Sequence, residues 1–281
     1  GSTPVWCDID PSTGNMDPSA IESLITSQTK AILFVDWAGT PAELHQINAI
    51  AHRYGLKTIE DAAHSLGALY KGEKVGTIAD MTCFSFQAIK HLTTVDGGAI
   101  ACLAKEDYER AVLLRWFGCK RGHNTSPVKW EGDVTEYGWK MHMNDVNATI
   151  GLAQMPHIDK IIDTHKTNGQ FLSNALTGCP GITLLEIPRY VDSAYWIYTF
   201  KINDPLHREQ FSQLLLKEGI GNNIVHTRND AYSLFSNFKR SLPGVDDFGS
   251  RMLNIPCGWW VKPNDLLHIV NSMYKVGETI L

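Results

Sequence analysis

The chain has 281 residues, 43% hydrophobic and 20% charged, with a formal net charge of −5 at pH 7. That composition belongs to a folded globular protein long enough for two domains, and it excludes a disordered or fibrous chain. No basic run points to nucleic acid, no apolar stretch is long enough to span a bilayer, and no signal peptide is visible. In chain order, residues 4–9 read as a strand-like run, and 21–25 lie in a short helix introduced by Asp17-Pro18. The continuous apolar run 31–35 suits a buried parallel strand. Residues 41–54 have helical spacing, with Leu44, Ile47, Ile50 and Ala51 on one face and Gly55 as the stop. Strands follow at 56–59, 82–86 and 99–103, and a helix at 106–117. The stretch 118–139 lacks a clean period and reads as a long loop. A helical pattern over 144–176 is interrupted near Pro156. Beyond it the spacing predicts strands at 182–187 and 195–202, a helix at 208–218 and a last helix from 264. Alternation of strands and helices in the first half predicts an α/β domain over residues 1–143 with a mainly parallel sheet. Residues 144–281 read as a connecting helix and a smaller α+β domain.

The six cysteines form no Cys-x-x-Cys pair, and the eleven histidines no His-Glu-x-x-His, so the sequence predicts no metal site. Scattered cysteines in a chain of this size read as reduced thiols, which points to the cytoplasm.

Two segments carry chemistry. In Thr58-Ile-Glu-Asp-Ala-Ala-His64 an apolar strand ends in an acidic pair followed by small residues. Ligands of open parallel sheets bind beyond the carboxyl ends of the strands. There Asp61 can hold a ring nitrogen in its protonated form, because a neighbouring opposite charge favours the charged state. Ala63 is small enough for a flat ring to lie against it, and His64 can donate to a ring oxygen. A strand-end Asp taken alone more often caps the next helix. The second segment runs from Cys83 through Ser85 and Lys90 to Gly97-Gly98. Ser85 can hydrogen-bond a phosphate. Lys90 ends an uncharged run from Thr82 to Ile89, and desolvation there would lower its pKa and activate the amine. A lysine after a strand, taken alone, is more often an exposed surface residue.

Together, Glu60-Asp-Ala-Ala-His64 and Phe84-Ser-Phe86…Lys90…Gly97-Gly98 resemble the DegT/DnrJ/EryC1/StrS sugar aminotransferases, enzymes of fold type I that use pyridoxal 5'-phosphate (PLP). The resemblance runs from Pro4 to the C-terminus. It implies that Lys90 carries PLP as a Schiff base, that Asp61 pairs with the pyridine nitrogen, and that Ala63 packs on the ring. It further implies that His64, where many members have Gln, contacts the ring hydroxyl and that Ser85 holds the phosphate. The expected activity is transfer of an amino group from glutamate to a nucleotide-linked 4-keto-6-deoxy sugar, in a homodimer whose active sites are shared.

Two departures from the family pattern stand out. Lys140, in Gly138-Trp-Lys140-Met-His142-Met, stands where the family often has an Asn that reaches the neighbouring subunit's phosphate; it reads equally as a phosphate ligand and as a loop lysine. The family's large domain also begins with a further segment, about a quarter of the usual length, with a phosphate-binding turn at a helix N-terminus. The chain is expected to be N-terminally incomplete in that respect. His226 and Arg228 fall where the family contributes a substrate loop, and Arg228 either meets a diphosphate or is a surface arginine. Arg115-Trp-Phe-Gly118 and Lys120-Arg121 either line an entrance or end a helix. Trp259-Trp260 reads as core or hinge packing before base stacking. Two rivals remain. In PLP-dependent sugar 3-dehydratases a His replaces the Schiff-base Lys, whereas the register from Ser85 puts Lys90 and not His91 there. The other rival is a non-catalytic fragment of the same fold.

Overall fold

The computed structural model describes residues 1–119 and 133–280. Strand β1 (Ala31–Val35) turns Ile32 and Phe34 to one face and Leu33 and Val35 to the other, as period-2 geometry requires. Helix α1 (Leu44–Arg53) returns over the first face and buries Leu44, Ile47, Ile50 and Ala51 with Ile32 and Phe34 in one apolar cluster. It stops at Gly55, whose φ of +64° is the left-handed conformation that ends helices. Strand β2 (Lys57–Asp61) pairs parallel to β1, with Phe34 opposite Glu60 and Val35 opposite Asp61. A small hairpin follows, β3 (Leu69–Tyr70) and β4 (Glu73–Lys74). Strand β5 (Met81–Ser85) is parallel to β2, and β6 (Gly98–Cys102) closes the sheet antiparallel to β5. The order β1-β2-β5-β6 is therefore mainly parallel, as the sequence pattern predicts.

After α2 (Lys105–Leu114), helix α3 (Asp145–Gln154) begins at Asn144, whose side chain accepts from Asn147 N at 2.9 Å. Pro156 sits in a 3-10 turn between α3 and α4 (Ile158–Ala175), the interruption expected there. Strands β7 (Ile182–Leu184), β8 (Val191–Asp192) and β9 (Tyr198–Ile202) follow, then α5 (Arg208–Lys217), α6 (Pro243–Arg251), β10 (Met252–Ile255) and α7 (Pro263–Ile280). Strands β10, β9 and β7 form an antiparallel sheet, and Phe200, Leu253, Phe211, Leu215, Ile269 and Met273 share its core with Leu172 and Leu176 of the α4 region. Strand β8 pairs with β3, tying the second half of the chain to the first.

Several expectations shift. Residues 4–9 are not a strand. Ile9 makes a single bridge to Met16, and the Asp8 carboxylate accepts from Gly244 N (2.9 Å) and Val245 N (3.0 Å) at the start of α6. The expected helix at 21–25 is two 3-10 turns, Pro18–Ala20 and Glu22–Leu24. The helix expected to reach Phe117 ends at Leu114, with Phe117 and Gly118 both left-handed beyond it. The strand expected over 182–187 pairs only through Leu184. That expected from 195 begins at Tyr198, because Ala194 N and Trp196 N donate to Gly39 O and Ala38 O, both at 2.9 Å. Of the expected loop, 118–119 and 133–139 hold no helix or strand; 120–132, with Lys120 and Arg121, lies outside the described residues.

Candidate active site

The site forms at the carboxyl ends of β2 and β5. On β2 the buried Thr58 and Glu60 point to the α1 side and Asp61, half-buried, points the other way. Asp61 is level with Cys83, so Ser85, two residues on, shares its face. The Asp61 Oδ1 accepts from Ala63 N at 3.1 Å, which turns the chain sharply and sets Ala63 and His64 beside it. Ser85 Oγ accepts from Gln87 N at 3.3 Å, so the chain leaves β5 through a turn that reaches Lys90. That loop is closed on itself: Lys90 N donates to Gln87 O (2.9 Å), Thr94 N to Phe86 O (2.8 Å) and Phe86 N to Gly97 O (2.9 Å). Gly98 is needed at the mouth, because a Cβ there would lie 2.5 Å from Phe84 O.

Lys90 is half-buried, and its Nζ lies 3.7 Å from the centre of the Trp196 ring. Burial pulls its pKa down to about 8, and the Asp61 carboxylate opposes that shift. His64 is buried and stacks on Trp196 at 3.9 Å and 18°. Burial first, then the Lys90 charge, pushes its pKa down to about 2, so the ring is neutral, and its Nδ1 has no hydrogen-bond partner. The exposed His226 lies 5.9 Å from His64 with nearly parallel rings; its pKa is lowered by burial and Lys90 and raised by Asp61. The structure thus brings Asp61, His64, Lys90 and His226 into one cluster.

Two other residues singled out from the sequence sit elsewhere. Arg228 is engaged within the chain: its Nε and one terminal nitrogen hold Asp230 at 2.6 and 2.8 Å, and its other terminal nitrogen holds Asp246. Lys140 is exposed and pairs through its backbone with Trp116; its side chain makes no hydrogen bond or ion pair among the described residues. Of the weaker candidates, Trp259 and Trp260 are half-exposed and meet edge to face at 6.0 Å.

Sequence reasoning missed two groups. Asp36, just beyond β1, and Glu60 are both fully buried beneath the strand ends; Glu60 raises the cost of ionising Asp36, whereas a hydrogen bond from Asp36 eases ionisation of Glu60. Asp36 Oδ2 accepts from Ser65 Oγ (2.6 Å) and Oδ1 from Ala42 N (3.0 Å), while Glu60 Oε2 accepts from Thr82 Oγ1 (2.7 Å). Burial holds both pKa values up, and the Glu60 charge raises that of Asp36 further. The signal was present, as two acids end adjacent parallel strands. Trp196 is the other; it lay hidden in an aromatic run read as strand.

The set suits a flat, anionic aromatic cofactor. It offers a half-exposed carboxylate, a lysine whose pKa is drawn down to about 8, a small residue near the carboxylate, and a buried neutral imidazole with a nitrogen left over. Among the described residues no group of three or more His, Cys, Asp or Glu could hold a metal ion, and no helix is long and apolar enough to cross a membrane.

The model of the DegT/DnrJ/EryC1/StrS aminotransferase family matches residues 1–274. The chain belongs to this family. AtS13 from Actinomadura melliaura is 37% identical and superposes with a TM-score of 0.91 over 96% of this chain and 73% of its own. The putative sugar aminotransferase Spr1654 from Streptococcus pneumoniae, in its PMP form, is 25% identical with a TM-score of 0.92 over all of this chain and 77% of its own. The UDP-4-amino-4,6-dideoxy-N-acetyl-beta-L-altrosamine transaminase of Campylobacter jejuni is 27% identical over 274 residues, which is 95% of this chain and 72% of the relative. The protein is thus a PLP-dependent aminotransferase of fold type I and acts in sugar chemistry.

Proposed function

We propose that the protein moves an amino group from glutamate to the keto carbon of a nucleotide-linked 4-keto-6-deoxy sugar, with Lys90 as its central residue. The observation that carries this reading is the Lys90 amine in the loop after β5, on the Trp196 ring and within electrostatic reach of Asp61 at the end of β2, with a pKa drawn down to about 8. In this reading Lys90 holds the cofactor covalently, Asp61 faces the ring nitrogen, Ala63 lies against the ring, His64 meets the ring hydroxyl through its spare nitrogen, and Ser85 takes the phosphate. Bound PLP supplies an electron sink for the carbanion. Asp61 keeps the pyridine nitrogen protonated by its charge, which is what makes the sink effective. Lys90, once freed by the incoming amine, would take the proton from the amino-acid α-carbon and deliver it to the cofactor carbon on the other side of the shared nitrogen. A pKa near 8 suits both halves of that task, because an amine must lose and regain its proton at working pH. His64, neutral and buried, can donate without adding a second positive charge beside Lys90.

The nucleotide-sugar acceptor is supported by the Campylobacter jejuni relative, a transaminase of a UDP-linked amino sugar. His226 is at the mouth of the cluster and is the better placed of the two substrate-loop residues, since Arg228 already holds two carboxylates. Lys140 belongs in this reading to the phosphate contact of a neighbouring subunit. We infer a cytoplasmic homodimer with shared sites; light scattering of the purified protein at twice the monomer mass supports it, and a monomer refutes it. A 3-dehydratase requires another residue at the position of Lys90 and is not favoured.

The test is a coupled reaction with PLP, glutamate and a UDP-linked 4-keto-6-deoxy hexose, read by mass spectrometry. The expected product has gained the amino group, with 2-oxoglutarate formed in equal amount. Loss of a sugar hydroxyl with no nitrogen gained would favour dehydration instead.

A further inference from the structure

Residues 194–196 join β8 to β9 and belong to no strand, yet their backbone is held from every side. Ala194 N and Trp196 N donate to Gly39 O and Ala38 O (both 2.9 Å). Ala194 O accepts from His91 Nε2 (3.0 Å) and Tyr195 O from His165 Nδ1 (2.9 Å). Both histidines are buried, and burial lowers both pKa values, so they act as neutral N–H donors. Ala38 and Tyr195 adopt φ of 55° and 46°, left-handed values that non-glycine residues rarely take. Strained residues held by so many partners mark a segment whose geometry is over-determined.

What this segment places is the Trp196 indole, which is 6% exposed. Its Nε1 donates to Ile89 O at 2.7 Å, fixing the peptide that leads into Lys90. Its ring receives the Lys90 ammonium 3.7 Å from the centroid and stacks with His64 at 3.9 Å. A π face favours the charged amine. Of the other groups around Lys90, only Asp61 favours the ammonium; His64, His91 and His226 are held neutral.

We propose that Trp196, carried on the chain between the two sheets, is the positioning residue of Lys90. Its indole N–H fixes the backbone of the lysine loop, and its ring holds the ε-amine within electrostatic reach of Asp61 and offsets part of the desolvation that burial imposes. The functional weight of this role rests on Lys90 being the cofactor lysine, but the physical claim concerns the lysine itself.

The experiment uses the full chain without cofactor. Competitive acetylation by acetic anhydride across pH, read on the Lys90 peptide by mass spectrometry, gives the pKa of that amine. Trp196→Leu keeps an apolar, water-excluding side chain and removes the π face, so the Lys90 pKa is expected to fall by about half a unit to one unit. Trp196→Phe keeps the ring and removes the N–H, so the pKa should stay within ~0.3 unit of wild type. In that variant amide exchange at residues 89–91 should quicken about fivefold, the loss of one hydrogen bond. An unchanged or raised pKa in Trp196→Leu overturns the proposal. So does unchanged exchange in Trp196→Phe, a variant conservative enough to remain folded if the leucine variant does not. Borohydride trapping of PLP on wild-type protein separates the parent reading: a pyridoxyl label on another lysine sinks the role of Lys90, while the acetylation result still decides what Trp196 does to it.

Discussion

In the β10-β9-β7 sheet, β9 is buried along its whole length, and its Thr199 and Lys201 side chains are paired. Thr199 donates to Asn254 and accepts from the Trp37 indole, and Lys201 Nζ donates to Pro11 O. In the four-stranded sheet, β1 alternates between Phe34, 2% exposed, and Leu33, 58% exposed. Beneath its strand ends lie Asp36 and Glu60, two buried carboxyls that resist ionisation, and around Lys90 the rings of His64 and His91 each keep a buried nitrogen without a partner. Buried polar groups are normally satisfied, so places where they are strained or left over mark function rather than packing. The four-stranded sheet has a polar, incompletely satisfied rim, where the proposed chemistry lies, and the β10-β9-β7 sheet supplies a closed core.

Predictions that sharpen this contrast run from large to small. Lys90→Ala should lower amine transfer at least ~1000-fold, because no other group in the cluster can both hold the cofactor and carry the proton. Thermal unfolding should barely move, since the side chain is only half-buried. An active Lys90→Ala would break the assignment of chemistry to the four-stranded sheet. Phe34→Ala, in the α1-covered core, should cost about 3–5 kcal/mol in denaturant unfolding, the usual loss for a buried aromatic.

Asp36→Asn tests the carboxyl pair. The folded-state pKa values of Asp36 and Glu60 are raised above their unfolded values. Their contribution is therefore full below the unfolded carboxyl pKa and is lost as pH rises through the folded values. The asparagine variant should gain stability relative to wild type on going from pH 5 to pH 9, measured by urea unfolding. His64 and His91 act oppositely: their depressed values, about 2 and about 3, make wild-type stability fall as pH drops below the unfolded histidine pKa. A flat difference between Asp36→Asn and wild type would mean the pair bears no excess charge cost. Leu33→Ala, one residue from Phe34 but on the exposed face, should change stability by less than ~0.5 kcal/mol. Equal costs at 33 and 34 would erase the distinction between the two faces.

Much of this was legible in the sequence. Strand β1 shows as a continuous apolar run, and Asp61 at the end of β2 and Lys90 in the loop after β5 stand out through their order and their register from Ser85. What escaped depends on contacts across long stretches of chain. Trp196 meets Lys90 from 106 residues away, and the strand expected there begins later because backbone groups at 194 and 196 bond to the turn after β1. Asp36 shows as an acid after a strand, but only the fold brings it against Glu60. Arg228 shows as a free cation in the sequence, and only the fold supplies Asp230 and Asp246.

The most direct test of the role of Lys90 is the visible absorbance of the protein with PLP, followed as glutamate is added. Wild type should show a band absent from free PLP that disappears on adding glutamate and returns with 2-oxoglutarate, and Lys90→Ala should show neither change. A wild-type spectrum identical to free PLP, or a glutamate response that survives Lys90→Ala, would contradict the account.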